Sequence, residues 1–206
     1  MTPDLVMPLR RAPALGWLLA WGLVVGYLFL TTPGARANTP QPASIQGTPS
    51  LPADLNKLDQ ALVFRAQSRF SLWGFDVYDA SLWTAPDFNP AFSENQSLAL
   101  ELRYLRDFSG QDIAKRTVQE MRGLASFGKA QEQTWMKEMQ RVFPNVRKGD
   151  RLLGVHRVGQ SAAFWHNGKP VGEIADAEFA RLFFGIWLSP KTSAPTLREA
   201  LIGSKP

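Results

Sequence analysis

The chain contains no cysteine and only two histidines, His156 and His166. Disulfide bracing and thiol chemistry are therefore excluded, and a zinc or iron–sulfur centre has almost no ligands to use. A nucleotide loop is missing too: Gly123 to Gly128 lacks both the Lys-Ser/Thr pair and a preceding strand. There is no G-x-S-x-G elbow for acyl transfer. No basic block stands out. The formal charge is +5, but Arg10, Arg11, Arg36 and Asp4 precede residue 38, and the rest holds 20 basic and 17 acidic residues. Nucleic acid is accordingly a poor candidate partner, and no cofactor is expected.

What is present is most readable at the start. Arg10 and Arg11 form a short basic region, and Ala14 to Leu30 is apolar or Gly. Pro33-Gly34 breaks that run, and Ala35-Arg36-Ala37 follows. This is the order of a secretory signal: the apolar core enters the bilayer and the small residues fit the peptidase. Cleavage after Ala37 is expected, which places the remainder in the periplasm or otherwise outside the cytoplasm. The competing reading is a retained anchor, since a run of about 17 apolar residues nearly spans a bilayer. Against it, the A-x-A stands where a stop-transfer carries several positive charges. The adjacent arginines also admit a twin-arginine signal. Membrane contact is expected only through this segment, before its removal.

Residues 38–54, with Pro40, Pro42, Pro49 and Pro52, read as an extended tether. Residues 55–206 make one domain, enough chain for one core. Leu62 to Phe70 alternates, with Leu62, Phe64, Ala66, Ser68 and Phe70 on one face and Val63, Arg65, Gln67 and Arg69 on the other. Phe75 to Trp83 is a second strand, and Trp73-Gly74 between them marks a hairpin or a bent strand. Ser97 to Leu105 is a third, with Leu98, Leu100, Leu102 and Tyr104 on one face and Glu101 and Arg103 on the other. Ser109 and Asp112 then make a capping-box-like start to a helix whose stripe is Ile113, Ala114, Val118, Met121 and Leu124. A second helix runs through Trp135, Met139, Val142 and Phe143 to Pro144. Strands return at 150–158, 161–166 and 169–174, turning at Gly159-Gln160 and at Asn167-Gly168, a type I′ pair. Asp176 caps an amphipathic helix carrying Phe179, Leu182, Phe183, Ile186 and Trp187, which Pro190 ends. Residues 196–202 form a short last helix. The order predicts an α+β domain, an antiparallel sheet with helices on one face.

Candidate chemistry is sparse. His156 lies in an alternating strand and His166 at a hairpin, and a structural or surface role fits each better than catalysis. Asp76 and Asp79, three apart in a strand, are expected on opposite faces rather than as a carboxylate pair. The tryptophans outside the signal most simply fill the core or cap an apolar cavity.

Five segments, GFDVYDASLW (74–83), RYLRDFSGQDIAKRTVQEM (103–121), FPNVRKGDRL (143–152), FWHNGKPVGEI (164–174) and FFGIWLSP (183–190), occur in the order seen in bacterial chalcone-isomerase-like proteins, which the chain resembles. The resemblance implies an open-faced β-sandwich. Plant chalcone isomerases follow a threonine-glycine step with a catalytic tyrosine, a lysine and an asparagine on one helix. The matching stretch begins at Ser109-Gly110, and Ile113, Arg116 and Glu120 stand at those three positions. An alkyl group cannot order water or stabilise an oxyanion as a phenol does, which argues against the isomerase reaction. The family's substrate arginine falls on Arg69, with a one-residue slip, or on Arg65. Non-catalytic relatives bind fatty acids with an arginine and a tyrosine near the carboxylate. By that analogy Arg69 with Tyr78 or Tyr104 would anchor a fatty acid or similar apolar carboxylate. The other readings are an envelope interaction or assembly protein without a small ligand, and an intramolecular lyase or isomerase. A solvated charge on a strand's polar face is the plain reading of Arg69.

Overall fold

The computed structural model describes residues 62–202, apart from the side chains of residues 92–94. The expected signal with its Ala37 site, the expected tether and the first residues of the domain lie outside the described residues.

Among the described residues six strands make one antiparallel sheet in simple sequence order: β1 (Val63–Leu72), β2 (Phe75–Thr84), β3 (Leu98–Tyr104), β4 (Arg151–Arg157), β5 (Ser161–His166) and β6 (Lys169–Ile174). The β3–β4 connection carries α1 (Gly110–Leu124) and α2 (Lys129–Val142). After β6 come α3 (Ala177–Leu188) and α4 (Pro195–Ile202). These four helices pack on one face of the sheet, the arrangement expected from the element order and the open-faced architecture implied by the resemblance.

Local chemistry explains the boundaries. The Ser109 hydroxyl accepts from the Asp112 amide at 3.1 Å, and the Asp176 carboxylate accepts from the Phe179 amide at 2.9 Å. Asp176 also accepts from the Trp135 indole N–H at 2.8 Å, so the cap of α3 holds α2 in place as well. Gly110 cannot carry a side chain: a Cβ there would lie 2.2 Å from the Phe143 carbonyl oxygen. The core between sheet and helices is aromatic. Phe143, Phe164, Phe179, Phe183, Phe184 and Trp187 meet largely edge to face, with centroids 5.1–6.1 Å apart.

Two bulges in the β1–β2 pair overturn expectations drawn from simple alternation. Phe64 pairs with Trp83 but Ala66 with Leu82, which leaves Arg65 as an extra residue. Leu62 and Phe64 therefore join Trp83 on the face away from the helices, while Ala66, Ser68 and Phe70 keep the helix side. Arg65 instead donates from Nε and Nη2 to the Ile202 carbonyl of α4, at 2.9 and 2.7 Å. Further along, Phe70 pairs with Tyr78 but Ser71 with Asp76, so Val77 is the extra residue. That bulge returns Asp76 to the side of Asp79, and the two share one guanidinium rather than facing apart.

The β1–β2 and β5–β6 hairpins turn through two residues with positive φ, Trp73 (51°) and Gly74 (80°), and Asn167 (51°) and Gly168 (79°). This is the type I′ requirement. Asn suits it; a bulky aromatic in the left-handed region is an outlier. Among the described tryptophans Trp73 is exposed, whereas Trp165 is half-buried and Trp83, Trp135 and Trp187 are buried.

Candidate functional site

Tyr78 and Tyr104 are direct register partners on β2 and β3, and both point toward the helices. Their rings lie 6.3 Å apart, edge to face. Phe70 stacks on Tyr78 at 5.1 Å, and Phe108 tilts against Tyr104 at 5.7 Å. From α3, the Trp187 indole N–H donates to the Tyr78 hydroxyl at 3.0 Å. Ile113 of α1 packs, half-buried, against the helix-side core. The result is a phenol pair set in an aromatic lining between sheet and helices.

The polar atoms of this pair are under-used. Among the described residues the Tyr104 hydroxyl has no hydrogen-bond partner. The Tyr78 hydroxyl accepts from Trp187, and its own proton has no acceptor there. Burial pushes both phenols above the ordinary tyrosine range, so both remain protonated donors. Glu120 and Arg116 of α1 lie close enough to act on Tyr78 electrostatically. They pair with each other as i,i+4 neighbours, and Glu120 also accepts from the Ser193 hydroxyl at 2.7 Å. The Arg116 side chain is 59% exposed, at the rim.

Arg69 does not join this group. It pairs in register with Asp79 on the face away from the helices. Its Nε and Nη2 donate to the two Asp79 carboxylate oxygens at 2.7 and 3.2 Å, and Nη1 donates to Asp76 at 2.8 Å. Of the three residues expected to anchor a carboxylate, the fold brings Tyr78 and Tyr104 together and sets Arg69 on the other side of the sheet. Sequence reasoning missed Trp187 as the partner of Tyr78. Its place on the buried stripe of α3 was visible, but nothing in the spacing says which strand residue it meets.

The histidines have local partners. His156 faces the helices, buried, with Nδ1 3.1 Å from the Gln96 carbonyl and its ring 5.2 Å from that of Phe184. A carbonyl only accepts, so Nδ1 carries the proton. His166 lies 3.3 Å from Asp150. Among the described residues no cluster of His, Asp and Glu could hold a metal ion, and no helix is long and apolar enough to cross a membrane.

Comparison with known proteins fits this architecture. An uncharacterized protein of Haemophilus influenzae is 29% identical over 133 residues, which cover 64% of this chain and 63% of that protein. The chain thus spans a little under two thirds of that relative's length. The crystal structure of an Arabidopsis thaliana fatty-acid binding protein matches with a TM-score of 0.52 at 11% identity, over 68% of this chain and 85% of that one. At that identity the likeness shows a shared fold. Residues 47–203 match the model of the chalcone isomerase-like family, and the chain belongs to that family.

Proposed function

We propose that this domain is a non-enzymatic binding protein for a fatty acid or similar apolar carboxylate, working outside the cytoplasm. The observation that carries the reading is the Tyr78–Tyr104 pair. Two protonated phenols stand side by side with donor capacity left over, among aromatic side chains and near the rim ion pair of Arg116 with Glu120. A carboxylate needs such donors, and an acyl chain needs apolar walls. The shared fold with a fatty-acid binding protein supports the same class. The butyl side chain of Ile113, where an isomerase presents a phenol, speaks against chalcone turnover.

Binding of a fluorescent fatty acid tests the proposal. Tyr104→Phe and Tyr78→Phe should each weaken binding by about tenfold or more, the worth of a hydrogen bond to a charged group. Arg69→Ala should leave it nearly unchanged. A large effect of Arg69→Ala with none from the tyrosines would move the ligand to the other face of the sheet. Chalcone cyclisation above the spontaneous rate would overturn the non-enzymatic reading. The compartment is tested separately: N-terminal sequencing of exported protein should begin at Asn38, and a chain beginning at Met1 and partitioning with membranes would mean a retained anchor.

A second reading, an envelope interaction protein without a small ligand, is favoured by the filled aromatic core between sheet and helices. Absence of lipid binding at micromolar protein would select it.

A further inference from the structure

The end of the sheet that carries the β1–β2 turn has two features the fold itself does not need. The first is apolar exposure. Trp73 is 70% exposed, Phe75 60% and Leu72 37%. Among the described residues Trp73 makes no hydrogen bond and no ring contact. The β5–β6 turn at the same end, with the same backbone, uses Asn167. That side chain accepts from the Arg151 amide at 2.8 Å and donates to Asp150 at 2.9 Å. The Trp73 position thus gives up local hydrogen bonding and suitable backbone chemistry to hold an indole in solvent. Such an outlier points to function.

The second feature is unpaired positive charge. Arg106 lies over the Phe75 ring at 5.2 Å. Arg147 and Lys148 occupy the loop that leads into β4, and Lys169 follows the β5–β6 turn at the far edge of the same end. All four are exposed, and among the described residues none has a carboxylate partner. The acids of this end are engaged locally. Asp76 accepts from Arg69 and the Ser71 hydroxyl, Asp107 from the Lys148 amide, and Asp150 from the Arg147 amide and Asn167.

Three exposed apolar side chains are too few for a standard protein interface. Indole and phenyl rings at one edge, with cations spread along the same end of the sheet, match the headgroup layer of a bilayer instead: aromatic rings settle there, and cations meet lipid phosphates. We propose that this end of the sheet docks on an anionic bilayer surface. Leu72, Trp73 and Phe75 enter the headgroup layer, and Arg106, Arg147, Lys148 and Lys169 face the phosphates. Contact with the membrane is then not confined to the N-terminal segment. The docking does not depend on a ligand between sheet and helices.

Quenching of tryptophan fluorescence by brominated lipid in vesicles tests this on the full chain. The comparison is wild type against Trp73→Asn, a change that recreates the Asn-Gly turn and keeps the fold. Because the readout is the difference between the two, it holds whether or not the N-terminal segment is present. Wild type should show a quenched component that Trp73→Asn lacks. That component should be strong with phosphatidylglycerol vesicles and weak with pure phosphatidylcholine or high salt. Arg147→Gln with Lys148→Gln should weaken the interaction about 30-fold, at roughly fivefold per cation. Equal quenching in wild type and Trp73→Asn would overturn the proposal. So would a Trp73-dependent dimer in solution with no vesicle response, which would assign the tip to a second copy.

Discussion

The two faces of this sheet are held by different physics. Toward the helices, Ala80, Leu82, Leu98, Leu100, Leu102, Leu152 and Phe164 meet the aromatic stripe of α3, and polar groups are few. On the other face a narrow apolar strip, Trp83, Ala99, Leu153 and Val155, runs between charged pairs. Arg69 with Asp79 and Arg151 with Glu101 at 3.9 Å join neighbouring strands, and Arg157 of β4 reaches across β5 to Glu173 of β6 at 2.8 Å. The first face depends on volume and shape, which many side chains share. The second depends on register, because a shift of one residue would separate every pair.

The comparison breaks first if the helix face is not the main source of stability. Trp187→Ala should cost about 3–5 kcal/mol in urea unfolding, the range for a large buried aromatic that leaves a cavity. Trp187→Phe keeps most of the volume and removes the bond to Tyr78, and should cost about 1 kcal/mol. Equal losses from the two changes would mean that the hydrogen bond, not the packing, anchors α3.

On the other face the expected effect is smaller. Asp79→Ala removes a nearly buried carboxylate that accepts two bonds from Arg69, and should cost about 1–3 kcal/mol. Asp76→Ala, in solvent, should cost far less, although both carboxylates hold the same guanidinium. Similar losses from the two would show that the bulge at Val77 makes them one unit.

How much of this was legible in the sequence follows the same division. The helix face was readable, because Leu98, Leu100 and Leu102 alternate and Phe179, Phe183 and Trp187 recur at helical spacing. The caps at Ser109 and Asp176 and the Asn167-Gly168 turn were readable for local chemical reasons. The other face was not. One extra residue at Arg65 and another at Val77 reverse side-chain direction, and no propensity marks them. The candidate site was half legible for that reason. Tyr78 and Tyr104 were named as alternative partners of Arg69, and their meeting across β2 and β3 was not foreseen. Arg69 follows a bulged strand, and an arginine there could be read toward either side.

Each face also carries a group that burial shifts in the range from weak acid to neutrality, and the two shifts have opposite consequences. His156 is held below its ordinary 6.5, mainly by desolvation, so the folded state prefers the neutral ring. Its contribution is complete above pH 6.5 and is lost as pH falls from there through the folded value, because the unfolded chain binds the proton first. Glu101 is raised above its ordinary 4.5 by desolvation, against the pull of Arg151. Its contribution is complete below pH 4.5 and is lost as pH rises through the folded value. Urea midpoints measured across this range should lose the first slope in His156→Gln and the second in Glu101→Gln. A His156→Gln profile that still falls in weak acid would place the titrating group elsewhere.

The smallest effect concerns the two hairpin tips, whose backbones match and whose residues do not. Left-handed backbone disfavours an L-residue with a large side chain, while Asn tolerates it through local hydrogen bonds. Trp73→Asn should therefore raise stability, by about 1 kcal/mol or less. The reverse change, Asn167→Trp, should lower it by more, because it also removes the bonds to Arg151 and Asp150. Thermal unfolding of both variants measures the difference. A stabilised Trp73→Asn domain would show that the wild-type residue is kept at some cost to the fold, as a surface-binding tip requires. A destabilised one would mean that the indole packs against the domain, and that this end of the sheet is structural after all.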